Sequence, residues 1–292
     1  MTPALPLANR ICLVAGASRG VGRGVARALG DAGATVIVTG RSSEAGPHTD
    51  QRPETFEDAA REVEAAGGKG HPYRCDHTSE REVDGLVSWA LRRFGRLDCV
   101  VDAVWGGNEG YDGERYPDGS AYGTPFWRRP AARLGQSLEA GVYAQLLLAR
   151  AVAPAMVQMR AGLIVTISFD TAAGYLGDVF YDLAKAATNR LSFAMAQELA
   201  PFGVTALGLS PGHVLTERVR DAGLAADTTE TPLYAGRAVA ALAADPEVAR
   251  HAGQVLHVAD LARLYGFTDR DGSQPGRYII NERKGGGDVA QG

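Results

Sequence analysis

Short runs of β-branched and apolar residues alternate along this chain with stretches whose apolar positions recur roughly every three to four residues. The runs at Ile11–Ala15, Thr35–Thr39, Gly70–Cys75, Cys99–Val104, Leu163–Ser168, Val204–Leu209 and Gln254–Val258 predict seven strands, and the periodic stretches between them predict helices. Strand and helix alternating in this way predict an α/β fold: a doubly wound sheet of about seven parallel strands with helices on both faces. Ligands of such sheets sit beyond the carboxyl ends of the strands. The loops after Ala15, Thr39, Cys75, Val104, Ser168 and Leu209 are therefore where chemistry is expected.

The first of these loops reads GASRGVG, with Gly16, Gly20 and Gly22 placed between a strand and a helical pattern. Each glycine can serve separately, for a tight turn, for close approach of backbone to a pyrophosphate, and for packing of the new helix on the sheet. The N–H groups at that helix start would face an anion, so a nucleotide cradle is expected. A second signal is FYDLAK, where Tyr181 and Lys185 stand four residues apart and share one helix face. The chain has three lysines, Lys69, Lys185 and Lys284, and otherwise uses arginine, which makes a lysine at this spacing informative. A compact ammonium suits a place beside a phenol and a ribose better than a planar guanidinium does.

These motifs, in this order and over nearly the whole length, resemble the short-chain dehydrogenase/reductase family. AGASRGVG is similar to its TGxxxGxG loop, YDLAK to its YxxxK pair, and SPGHVLT at Ser210–Thr216 to its PG segment. The segments PFWRRP and DLARLYGFTDRDGSQP resemble the subgroup around mammalian dehydrogenase/reductase member 1 and its actinobacterial relatives. The resemblance implies a Rossmann-type fold, hydride transfer between a nicotinamide and a carbonyl or alcohol carbon, and Tyr181 as the group that moves the proton. It implies Lys185 as the anchor of the nicotinamide ribose and, together with the nicotinamide's positive charge, as the source that lowers the phenol. Lowering a phenol by about three pH units needs roughly 4 kcal/mol of differential stabilisation. Cofactor contacts are implied for Gly16, Ser18, Arg19, Gly20, Val21 and Gly22, for Asp76 and His77 after the third strand, and for Pro211, Gly212, Val214 and Thr216. His213 joins Trp105, Tyr111 and Phe169 as expected substrate-lining residues.

Charge at the end of the second strand speaks to the choice of cofactor. A carboxylate there would bind a ribose diol, whereas this chain offers Arg41 and Ser42, with Arg19 in the glycine loop. Two arginines that can fork a 2′-phosphate, at about 1.5–3 kcal/mol per charge-assisted pair, predict NADP(H).

The sequence departs from the family at the proton relay. Where the strand usually ends in two serines it reads ISFD: counting thirteen residues back from Tyr181 selects Ser168, and aligning the strand puts Phe169 in the slot. Ser168 is taken as the catalytic serine. A phenylalanine there would cost about 2.7–4 kcal/mol of oxyanion stabilisation, with Thr171 as a partial substitute. Gly141 stands where the family places a water-holding asparagine, Asp102 and Ala103 where it has two asparagines, and Ala15 where the glycine motif opens with threonine.

Two insertions stand out. Residues 43–55 read as a surface excursion, and residues 105–130, rich in glycine and aromatic residues, as a lid or wall of the substrate site. Residues 221–234 occupy the interval of a mobile flap, and the tail 281–292 reads as frayed. A length of 292 residues with 45% apolar content suits a single domain, 1–292. A net charge of −4 with interspersed signs argues against nucleic acid, and no signal peptide or long apolar run argues for a membrane, so a cytoplasmic protein is expected. Cys12, Cys75 and Cys99 lack CxxC spacing and read as buried thiols; the histidines show no metal-ligand spacing, and no metal is expected. The expected activity is reduction of a ketone or aldehyde of a small organic substrate, or oxidation of the alcohol, in secondary metabolism, by a homodimer or homotetramer. The alternatives are a non-redox enzyme (dehydratase, cyclase or isomerase) or a redox-inactive NADP(H)-binding sensor or scaffold.

Overall fold

The structure, a computed structural model, describes residues 5–225 and 229–278. Seven parallel strands form the central sheet: β1 (Ile11–Ala15), β2 (Thr35–Gly40), β3 (Lys69–Arg74), β4 (Cys99–Asp102), β5 (Gly162–Ile167), β6 (Val204–Ser210) and β9 (Val255–His257). Two further short strands, β7 (His213–Val214) and β8 (Thr229–Glu230), pair with each other outside it. Spatial order is β3-β2-β1-β4-β5-β6-β9, so the direction of winding reverses between β1 and β4, where Ala15 lies opposite Asp102. That switch point opens a crevice at the carboxyl ends of the strands.

The helices are α1 (Gly20–Asp31), α2 (Phe56–Ala65), α3 (Glu80–Phe94), α4 (Ala132–Leu138), α5 (Ala144–Met159), α6 (Val179–Leu199), α7 (Glu217–Asp221), α8 (Pro232–Ala244) and α9 (Val258–Tyr265). Alternate side chains of β1 show how they cover the sheet: Cys12 and Val14 join Val25, Leu29, Val63, Val239 and Leu261 on one face, while Leu13 and Ala15 join Leu86, Leu148, Val152 and Met156 on the other. Fully burying such a side chain contributes about 1.5–3 kcal/mol, and truncating one to alanine costs about 2–5 kcal/mol. Only the edge strand β3 alternates between covered and exposed positions, and it is the one that carries a proline, Pro72. The three cysteines are free and buried.

Between α4 and α5 the helix widens into a π turn at Glu139–Tyr143. The continuous run Ala132–Met159 is long and apolar enough to cross a membrane by composition. Its side chains Leu147, Leu148, Val152 and Met156 are nevertheless core residues against the sheet. The predicted tail 281–292 and residues 226–228 of the predicted flap lie outside the described residues.

Candidate active site

Beyond β1 the chain turns at Gly16 (φ +70°) so close to β4 that a Cβ would lie 2.9 Å from the backbone of Ala103. A Cβ on Gly22 would meet the Gly16 carbonyl oxygen at 2.3 Å, so α1 starts directly against the loop. Arg19 precedes α1 without capping it, and no acidic residue stands in its first turn. The Gly20 N–H donates instead to the Glu217 carboxylate of α7 at 2.8 Å. Beside it, Thr216 caps α7. The helix start thus already accepts an anion, as a pyrophosphate cradle must.

Arginines gather on the same side, each paired with a carboxylate. Arg19 donates to Thr49 Oγ1 at 3.0 Å and to Asp50 at 3.1 Å, and Arg218 of α7 binds the same Asp50. Arg41 pairs with Glu109 of the 105–130 insertion. Asp50 also accepts the Gly110 N–H at 2.8 Å, so it joins both insertions to the glycine loop and to α7. Two expected cofactor side chains turn elsewhere. The Ser42 hydroxyl bonds to Thr49 Oγ1 (2.8 Å) and to the Thr49 N–H (3.0 Å), ordering the first insertion. His77 is buried with Nε2 2.8 Å from Thr39 Oγ1, and burial pushes its imidazole down to about 4. Its ring is a neutral, buried group. Asp76, at the rim, accepts hydrogen bonds from the Thr78 N–H (3.0 Å) and hydroxyl (2.8 Å).

At the other end of the crevice, α6 carries Tyr181 and Lys185 one turn apart. Asp178 caps this helix, accepting the N–H groups of Phe180 (2.9 Å) and Tyr181 (3.0 Å), while its other oxygen pairs with the buried Arg129 of the second insertion. Arg129 and Arg133 flank the Tyr116 ring, at 5.3 and 3.6 Å from its centroid. The insertion is thus a packed wall. Tyr111 belongs to it, with its ring 4.7 Å from that of Tyr116 and its hydroxyl donating to the Gly113 carbonyl at 2.8 Å.

The Lys185 ammonium lies 4.3 Å from the Trp105 ring centroid and 5.6 Å from that of Tyr181, and donates to the Ile167 carbonyl at 3.4 Å. Burial pulls it down to about 8, against the pull of the Asp102 charge. Burial pushes Asp102 up to about 7; one oxygen accepts the Val104 N–H at 2.9 Å and the other has no partner among the described residues. The expectation that Lys185 lowers the Tyr181 phenol is not met in the free protein: burial pushes the phenol up, and the ammonium stands off the ring without a hydrogen bond to the hydroxyl.

Ser168 directly follows β5. Its hydroxyl donates to Asn189 Oδ1 at 2.6 Å, within the joint between β5 and α6. Phe169, the next residue, places its ring centroid 6.2 Å from that of Tyr181. The alternation of side chains along an extended strand end turns these two neighbours in different directions. The Thr171 hydroxyl oxygen accepts the Asn189 amide at 3.4 Å, which leaves its own proton free to donate. Asn189, which also donates to the Phe169 carbonyl at 2.8 Å, was not foreseen; it lies four residues after Lys185 on the same helix face. His213 lies on β7 with its ring 5.8 Å from that of Tyr278. Behind it, Gly212 abuts Glu230, a buried carboxyl that burial pushes up to about 7. Pro211 and Val214 are buried in the same segment.

The sequence pattern of the short chain dehydrogenase family matches residues 10–227. The chain belongs to this family. Dehydrogenase/reductase SDR family member 1 of Mus musculus is 35% identical over 283 residues, which cover 91% of this chain and 85% of the relative. The same protein of Homo sapiens is 34% identical over 94% of this chain and 88% of the relative. Among solved structures, 7 alpha-hydroxysteroid dehydrogenase complexed with NADH and 7-oxo glycochenodeoxycholic acid superposes with a TM-score of 0.69 at 24% identity, over 93% of this chain and 97% of the other. That likeness shows the dehydrogenase fold. The shared architecture is the doubly wound parallel sheet.

Proposed function

We propose that this short chain dehydrogenase is an NADP(H)-dependent oxidoreductase that reduces a ketone or aldehyde of a small organic substrate, or oxidises the corresponding alcohol. The observation that carries the reading is the pairing of Tyr181 with a buried Lys185 at the carboxyl end of β5. A cradle of amides and arginines stands on the other side of the switch point. The residues fit such a cofactor: Gly16 and Gly22 leave room only for backbone, the α1 start already takes a carboxylate, and Arg19 and Arg41 supply cations where a 2′-phosphate would lie. When bound, the cofactor supplies or receives the hydride.

The protein's own part is the proton. Tyr181 donates its hydroxyl proton to the carbonyl oxygen on reduction and recovers it on oxidation, a role worth about 10²–10⁴ in rate. Lys185, held at about 8, exchanges a proton within the neutral range. The aromatic wall of Trp105 and Phe169 keeps the tyrosine dry. Parallel calorimetric titrations with NADPH and NADH test the cofactor, followed by a carbonyl panel scored by NADPH loss. NADPH binds more tightly, and Tyr181→Phe keeps that binding while losing turnover; equal or absent binding of the two would sink the NADP(H) assignment.

A second reading, a dehydratase, cyclase or isomerase on this fold, is favoured by the Phe169 ring beside Tyr181 and by the Ser168 hydroxyl bound to Asn189, which leaves one hydroxyl fewer to polarise a carbonyl. It is distinguished by product formation without stoichiometric NADPH consumption. A homo-oligomer is supported by Tyr143 and Leu146 near and on α5 and by Leu183 and Phe193 on α6, all exposed. Light scattering of the purified protein gives its mass.

A further inference from the structure

The space beneath Lys185 is filled in an unusual way. A Cβ on Gly141 would lie 2.6 Å from Cζ3 of the Trp105 ring, and a Cβ on Gly107 would lie 2.4 Å from its Cζ2. Both distances are shorter than any side chain tolerates, so the indole sits in a slot that exists because two glycines flank it. The π turn presents Gly141 to that slot and is held by the Thr188 hydroxyl, which donates to the Gly141 carbonyl at 3.1 Å. On its other sides the indole meets the Tyr181 ring edge-on (centroids 5.3 Å apart, 74° between planes) and the Lys185 ammonium at 4.3 Å. That ammonium has a single long hydrogen bond, to the Ile167 carbonyl at 3.4 Å. The ring contact therefore accounts for much of what holds it in place. The indole thus occupies the space that a side chain at 141 would take.

We propose that Trp105 is a positioning residue for Lys185: its indole fills the slot left by glycine at 107 and 141, holds the ammonium against its π face, and shuts out water from the helix side. The proposal rests on the reading of Tyr181 and Lys185 as the proton-moving pair. The charged and titratable groups facing Lys185 are then Asp102 from β4 and Tyr181 from α6. Desolvation is the largest cause of the low Lys185 value, so admitting water to the slot raises it, and this outweighs the loss of the π contact.

The test needs neither cofactor nor substrate, so its failure is separable from failure of the functional reading, which shows in the NADPH titration. With three lysines in the chain, NMR of isotope-labelled lysine gives a resolvable spectrum, and Lys185→Arg identifies the Lys185 signal. In the free wild-type protein that signal is displaced by the indole ring current and titrates near about 8. In Trp105→Leu the ring-current displacement vanishes and the midpoint rises by about one pH unit, while Trp105→Phe keeps the midpoint low. A midpoint in Trp105→Leu that stays put or falls overturns the proposal. So does a wild-type signal without ring-current displacement, an outcome that needs no variant to fold.

Discussion

The two ends of the crevice hold their charges in opposite ways. At the phosphate end, Arg41 and Glu109 pair with 37% and 33% of their side chains exposed, and neighbouring arginines share carboxylates borne on loops. At the proton end, Arg129 and Asp178 pair with 3% and 2% exposed, and Lys185 rests on aromatic rings. Exposed pairs exchange partners at little cost, whereas buried ones are costly to separate. The first arrangement suits a surface that must release its own carboxylates to receive an anion. The second suits a site that must hold a proton donor still.

The sharpest way to break this contrast is Arg129→Met, which leaves Asp178 charged and buried. Unfolding in denaturant is expected to show a loss of about 3–5 kcal/mol, and a loss under 1 kcal/mol would put the two ends on the same footing. His77 sharpens it, because it lies near the phosphate end yet is buried. Above about pH 6.5 its ring is neutral in both folded and unfolded chains; as pH falls toward about 4 the unfolded chain takes a proton that the folded chain refuses. The advantage of wild type over His77→Asn therefore shrinks by about 3 kcal/mol across that window, read as converging melting temperatures.

Arg41→Asp is the matched test at the exposed end. NADPH affinity falls roughly ten- to a hundredfold while unfolding free energy changes by less than about 0.5 kcal/mol. Smallest is Glu217→Gln, which weakens the internal anion at the α1 start. Calorimetry is expected to show NADPH binding tighter by about two- to fivefold, the worth of one charge at a helix terminus. Weaker binding would mean that Glu217 supports the cradle and does not compete for it.

The sequence was legible where one rule acts locally. The seven predicted runs became the seven strands of the sheet within one or two residues, the central ones because a buried parallel strand has to be apolar along its length. The glycine loop and the Tyr181–Lys185 spacing were legible for the same reason, each motif being its own geometry. What was not legible depends on which way a side chain turns. Ser168 and Phe169 are neighbours, and only the strand's pleat decides which one faces Tyr181. His77 follows the third strand in sequence, and only the fold shows its ring against Thr39. The glycines that seat Trp105 lie at 107 and 141, a pairing that only the tertiary fold reveals.

That pairing also bears on how such a site can change over generations. An asparagine at 141, the residue the family resemblance leads one to expect, fits only after the indole has left; loss of the indole alone leaves a void beside a buried ammonium. Either step alone costs packing at this place, so the residues at 105 and 141 are expected to change together.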